Sequence, residues 1–285
     1  MMLMIIGGLI VLGLCFGSFV NALVWRLHEQ AAENGKKKPD KKYLAQLSIK
    51  KGRSMCPHCK HELAAKDLLP VLSWLSLRGK CRYCGKPVSV QYPLVELATA
   101  GLFAASYIWW PTAFDASQMA LFGLWLVMLV GLMALLVYDL RWQLLPDRIM
   151  YPLGVVAGLM AVIIIISAHK SLVALLNIVL AVIIGGGLFY LIFQVSQGKW
   201  IGGGDVKLGW LLGLVLGTPA RAALLIFSAA LLGSFVSLPL LATKRLKGNS
   251  IIAFGPFLII AAIIVQLFGH SILFWYQKTF LSFTV

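Results

Sequence analysis

Apolar residues in this chain fall into long blocks separated by short polar turns. The blocks lie at about 3–25, 94–112, 119–138, 149–168, 171–195, 208–219, 222–243 and 251–275. Most approach the roughly 20 residues that a helix needs to cross a bilayer. The pattern predicts an all-α polytopic membrane protein with about eight transmembrane helices. The block 208–219 is short, so its helix begins inside the bundle or tilts less than the others. The first block has no basic region ahead of it and no clear small-residue cleavage site, so it reads as a retained helix rather than a signal peptide. One long polar segment, 26–93, separates helices 1 and 2. Three parts are expected: a first helix over 1–25, a polar segment over 26–93, and a helical membrane domain over 94–285.

Composition agrees with the pattern. Of 285 residues, 60% are hydrophobic and only 12% are charged, which excludes an ordinary soluble or disordered chain. The charge is lopsided, with 25 Lys and Arg against 10 Asp and Glu. Fifteen of the basic residues fall in 26–93. Placing that segment in the cytoplasm puts the turns carrying Arg141, Arg148, Lys199, Lys207, Lys244, Arg245 and Lys247 on the same side. The outer side keeps Lys170, Arg221 and Lys278, a split of 22 to 3. Both termini then face the periplasm or exterior. The net charge of +15 is thus a topology signal with attraction to membrane lipid headgroups, not a nucleic-acid footprint. The tract KKKPDKK at 36–42 reads as a mobile, solvated, lipid-facing loop.

Cysteines add a metal. Cys56-Pro-His-Cys59 and Cys81-Arg-Tyr-Cys84 are two CxxC pairs 21 residues apart. Each pair offers two thiolates from a tight turn, and four thiolates suit tetrahedral zinc. Lys60 and Gly85 follow the pairs where such turns relax the backbone and aim N–H groups at sulfur. A reducing cytoplasm disfavours the disulfide alternative. Zinc held by four cysteines has no open position, so this Zn²⁺ is structural and the chemistry lies elsewhere.

The acidic residues are few, and four of them, Glu96, Asp139, Asp147 and Asp205, sit at or just inside the cytoplasmic ends of predicted helices. Asp139 closes the block LVMLVGLMALLVYD, and Asp205 follows three glycines in IGGGDVK. Two adjacent carboxylates can share a proton, one acting as base on water and the other as acid towards a carbonyl. The glycines, among them Gly202 and Gly204, permit close approach of backbone or substrate. Asp147, after Pro146, is placed to cap the next helix, and Lys207 to neutralise charge or meet lipid phosphate. Spacing alone leaves alternatives open. The carboxylates can be helix caps, snorkelling groups or the relay of an ion-coupled transporter, and Gly185–Gly187 read as packing glycines.

Taken in order, the motifs resemble those of the bacterial type IV prepilin peptidases, the GxGD-type membrane aspartyl proteases. The resemblance rests on GSFVNALVWRL (17–27), CPHC, the run LLPVLSWLSLRGKCRYCGKPVSVQYPLVELATA (68–100), DLRWQLLPD (139–147), GGGDVK (202–207) and AFGPFL (253–258). It implies that Asp139 and Asp205 are the catalytic aspartates and that Asp147 is a lesser member of the first motif. It implies substrates, too: type IV prepilins and type II secretion pseudopilins, cut after glycine on the cytoplasmic side. Many members also methylate the new N-terminal amine with S-adenosyl-L-methionine, an activity associated with the segment between helices 1 and 2. Asn21, Arg26 and Glu96 match family positions. The resemblance leaves them either a substrate role or that of holding the segment to the bundle. The alternative within the family is a peptidase without methyltransferase activity. The departures are LHEQ after Arg26, a longer Lys-rich insertion, and Ala253 where proline is common. None removes a carboxylate.

Overall fold

The computed structural model describes residues 1–49, 52–168, 171–243 and 253–281. The turn with Lys244, Arg245 and Lys247, and Lys170, lie outside the described residues. The chain divides into two compact units, Met1–Ile108 and Trp109–Val285. The first unit takes in the helix after the cysteine segment, which the hydrophobic pattern grouped with the membrane domain.

In the first unit, α1 covers Met2–Asn34. At 1.5 Å per residue it is about 50 Å long, well beyond a hydrocarbon core of about 30 Å. The helix expected to stop at 25 therefore runs on. The residues WRLHEQAAEN contain no glycine or proline and several good helix formers. Gly35 ends it, donating its N–H to Ala31 O at 3.1 Å. α1 packs antiparallel to α4 (Gln91–Ile108). Gly13 and Gly17 make this possible: a Cβ at Gly13 would lie 2.6 Å from Ala100 Cα, and one at Gly17 would lie 2.5 Å from Glu96 Cα. Four-residue spacing of glycines is a way to bring two membrane helices into backbone contact.

Between these helices lie α2 (Lys41–Gln46) and α3 (Leu72–Ser76). Lys36 pairs with Glu33 at 2.7 Å, and the Asp40 carboxylate caps α2 by accepting from Lys42 N and Tyr43 N. Tyr43, Leu47 and Met55 then form a small core with Trp25 against it.

The second unit contains α5 (Ala116–Trp142), α6 (Asp147–Ser167), α7 (Ser171–Val182), α8 (Leu188–Ser196), α9 (Gly203–Leu216), α10 (Pro219–Ala242) and α11 (Gly255–Tyr276). A π-turn at Ile183–Gly187 joins α7 to α8. There the expectation of packing glycines is met. A Cβ at Gly185 would lie 2.8 Å from Gly209 O, and one at Gly213 would lie 2.7 Å from Ala181 O, so α9 sits directly on this segment.

Among the described residues there is no strand, only two isolated bridges. The protein is an all-α polytopic membrane protein; among the described residues six helices are long and apolar enough to cross a membrane, against the eight or so expected. The two that fall short are α4, which carries Glu96, and α9. With 14 residues, α9 reaches only about 21 Å. Its neighbours α6 and α11 have 21 and 22 residues. Asp205 lies in the first turn of α9.

Candidate active site and metal centre

Asp139 sits in the last turn of α5 and is 4% exposed. The helix ends just beyond it because Gln143 adopts φ 53° and donates its N–H back to Asp139 O at 2.9 Å. Asp205 is partly buried, and its N–H donates to Gly202 O at 3.1 Å, closing the first turn of α9. A third residue, Gly255, joins them at the first position of α11. A Cβ there would collide with Asp139 Oδ2 and lie 3.5 Å from Asp205 Oδ1. The two carboxylates therefore converge on one backbone position, and their charges act on each other. Asp139 Oδ2 is buried, and among the described residues no group donates a hydrogen bond to it. A buried carboxylate oxygen without a donor is costly. It is placed to hold a proton or a water.

The other expected residues of this site divide. Asp147 does not cap α6: the N-cap is Pro146, and no side-chain cap bond forms. It instead accepts from Lys207 Nζ at 2.7 Å, with both side chains nearly half exposed. Lys207 is thus the charge partner of Asp147 in this structure. The glycines of GGGD have distinct neighbours. A Cβ at Gly204 would lie 3.1 Å from Leu145 Cβ, so the close approach it permits is that of the turn after α5. A Cβ at Gly202 would lie 3.7 Å from Asp205 Oδ2, an ordinary contact.

In the first unit the cysteine pairs form matching knuckles. Lys60 N donates to Cys56 O, and Gly85 N to Cys81 O, each at 2.9 Å. Lys60 and Gly85, which follow the two pairs, have positive φ, 57° and 69°. Cys56 N and Cys81 N donate to His61 O and Lys86 O. Backbone N–H groups of His58 and Cys59 point at the Cys56 sulfur, and those of Tyr83 and Cys84 at Cys81. Burial pushes the Cys56 thiol up to about 12. At Cys81 burial is outweighed by the N–H groups of Cys84 and Tyr83, and its thiol comes down to about 7. All four ligand atoms lie within 4.8 Å of one another, with Cys56 and Cys84 sulfurs 3.9 Å apart. A tetrahedron of 2.3 Å zinc–sulfur bonds has edges of about 3.8 Å, so the cluster fits a metal ion.

Asn21, Arg26 and Glu96 hold this unit together. Asn21 Nδ2 donates to Tyr92 O at 3.1 Å, and its Oδ1 accepts from Gln91 Nε2, which fixes the start of α4 on α1. Arg26 donates to Ser48 O and Gly52 O at 3.1 and 3.0 Å, so its guanidinium is engaged by carbonyls of the segment. Glu96 Oε2 accepts from Val71 N at 2.7 Å. Beside these residues lies a cavity of about 140 Å³ whose walls include Trp25, Trp74, Tyr92, Asp67 and Glu96.

Residues 11–110 match the Bacterial Peptidase A24 N-terminal domain, and residues 126–238 match the Type IV leader peptidase family. The chain is 35% identical over 283 residues to the prepilin leader peptidase/N-methyltransferase of Aeromonas hydrophila, covering 94% of this chain and 92% of that one. The chain belongs to the type IV leader peptidase family. Further relatives include the Type 4 prepilin-like proteins leader peptide-processing enzyme of Escherichia coli, 34% identical, with 88% of this chain and 89% of that one covered. The prepilin leader peptidase/N-methyltransferase of Bacillus subtilis is 32% identical, with 81% and 88% covered. No solved structure matches the chain significantly.

For a leader peptidase, the residue that sequence reasoning missed is Gly255. It stands in AFGPFL, a motif legible by its order in the chain, but its closeness to both aspartates is a product of helix packing. The cavity beside Glu96 was likewise invisible, because its aromatic walls come from α1, α3 and α4.

Proposed function

We propose that this protein cleaves the basic leader of type IV prepilins, and of type II secretion pseudopilins, with a water held between Asp139 and Asp205. The convergence of both carboxylates on Gly255 carries the reading. Two carboxylates this close favour a state with one proton between them. The ionised aspartate accepts a proton from the water as it attacks the carbonyl after the leader glycine, and the protonated one donates to the developing oxyanion. Asp205 and Gly255 both lie in the first turn of their helices, whose positive dipole ends favour negative charge there. Asp147 and Lys207 steady the outer edge of the site without entering the chemistry.

The new N-terminal amine is methylated in the first unit. S-adenosyl-L-methionine supplies the methyl group as its sulfonium, and the protein contributes placement. Trp25, Trp74 and Tyr92 offer flat apolar faces suited to an adenine ring and a cationic sulfonium. Asn21, Arg26 and Glu96 act as braces of that cavity. Cys56, Cys59, Cys81 and Cys84 hold a structural Zn²⁺ that ties its walls together. The protein is a multi-pass protein of the bacterial inner membrane. In this reading its cysteine segment and aspartates lie on the cytoplasmic side and its termini in the periplasm, as the 22 to 3 charge split supports.

Cleavage of a prepilin in membranes tests the peptidase. D139N or D205N lowers the rate by at least about a thousandfold. Cleavage at the normal rate by either variant overturns the assignment. Mass measurement of the product N-terminus, with and without methyl donor, tests the methyltransferase. One equivalent of zinc per chain is expected, and a fully folded first unit without metal would rule out the structural zinc.

A further inference from the structure

The second unit contains a cavity of about 180 Å³, largely apolar but with a few polar side chains in its wall, where α5 begins, α9 ends and α10 begins. Measured along α9 it lies about 16 Å from Asp205, at the other end of that helix. Its walls include Arg221, Gln266, Thr218 and Trp110. Arg221 lies in the first turn of α10, and its stem crosses α11, with a Cβ at Gly269 falling 3.7 Å from its Cγ. Gln266 stands three residues earlier on α11, and therefore on the same helix face.

Both polar groups lack what they need. Among the described residues no carboxylate or carbonyl pairs with the Arg221 guanidinium; its backbone N–H alone is engaged, by Thr218 Oγ1 at 3.4 Å. Gln266 is 7% exposed, and its Oε1 is buried without a donor. The other polar wall is already satisfied: Gln118 Oε1 accepts from Trp110 Nε1 and Thr112 Oγ1. An arginine inside a membrane bundle pairs with an anion or a carbonyl. The cavity therefore asks for one ligand that carries an anion for Arg221 and, within a few ångströms, a hydrogen-bond donor for Gln266.

We propose that this cavity binds a phosphodiester bearing an N–H or O–H donor, and that the source is a membrane lipid headgroup. Guanidinium takes phosphate by a fork of parallel hydrogen bonds. An ammonium or hydroxyl on the same headgroup satisfies Gln266. The place fits a lipid because three helix ends and an interfacial tryptophan meet there, as they do at headgroup depth. A water in the cavity would satisfy Gln266 but would leave the arginine charge unpaired.

Full-length protein, stripped of lipid in detergent, is titrated with dioleoyl phosphatidylethanolamine, phosphatidylglycerol and phosphatidylcholine, with native mass spectrometry counting retained lipid. The first two carry a donor and are retained about tenfold more tightly than phosphatidylcholine, which carries none. Arg221→Gln lowers retention of phosphatidylethanolamine by about tenfold. Gln266→Leu brings phosphatidylethanolamine and phosphatidylcholine to within about twofold of each other. That ratio is internal to one variant, so it does not depend on the fraction folded. Equal retention of the three lipids by the unmodified protein, or undiminished retention by Arg221→Gln, overturns the proposal. Soluble phosphoethanolamine that competes at the same concentration as the lipid overturns the membrane source.

Discussion

Glu96 accepts a 2.7 Å hydrogen bond from the backbone N–H of Val71, and Val71 has φ 61°. A β-branched residue with positive φ is strained, at a cost of about 1–3 kcal/mol. The carboxylate on α4 holds that strained backbone at the start of α3, whose Trp74 lines the first unit's cavity. Glu96→Ala is expected to release α3 and destabilise the first unit by about 1–3 kcal/mol, with Glu96→Gln recovering most of the loss because an acceptor oxygen remains. Methylation should fall with Glu96→Ala and recover with Glu96→Gln, while prepilin cleavage changes little. Product mass spectrometry reads both activities in one reaction. Loss of methylation in both variants would instead give the charge of Glu96 a direct role.

Gly255→Ala tests the geometry of the aspartate pair without touching a carboxylate. The added methyl meets Asp139 Oδ2 and must displace it. Cleavage is expected to fall by about a hundredfold, chiefly in kcat, since an ångström of misplacement is costly to a proton-transfer site. Binding of an uncleavable prepilin should persist.

Asp147 and Lys207 form the ion pair of the site's rim, at 2.7 Å and nearly half exposed. Exposed pairs contribute about 0–1 kcal/mol. D147N and K207Q should each keep cleavage within severalfold of normal, in contrast to D139N. A loss as deep as that of D139N would move Asp147 into the chemistry.

Asp67 gives the first unit a pH dependence. Burial opposes its charge, but the Arg82 and Tyr83 side chains and the Ala64 N–H outweigh burial and hold its carboxyl below the ordinary value. A carboxyl with a lower pKa in the folded than in the unfolded state stabilises the fold above its unfolded pKa. That contribution is lost as pH falls through the folded pKa. Below about pH 4 the second knuckle should therefore loosen. Asp67→Asn should weaken the knuckle at neutral pH and remove this part of the acid sensitivity. Hydrogen exchange at Arg82–Gly85 as a function of pH measures both.

The sequence by itself determined the helical membrane class and the four-cysteine cluster, and it singled out Asp139 and Asp205 as the candidate aspartates. Long apolar blocks can be stable in a bilayer only as helices or barrels. Paired CxxC turns carry their geometry locally, in five residues of which the last has positive φ. Asp139 and Asp205 stood out because acidic residues are scarce in such a chain.

Tertiary structure decided the rest, because it depends on which helices touch. Among the described residues six helices are long and apolar enough to cross a membrane; α4 and α9 fall short, and α9 is bounded by Gly202 and Gly217 at its two ends. Asp147 became a partner of Lys207 rather than a cap because α6 and α9 bring them together across 60 residues. Arg26 and Glu96, equally open to substrate or bracing roles in the sequence, are taken up by backbone groups far along the chain. Gly255 gained its meaning only when α11 laid its first turn against both carboxylates, a contact that no local pattern encodes.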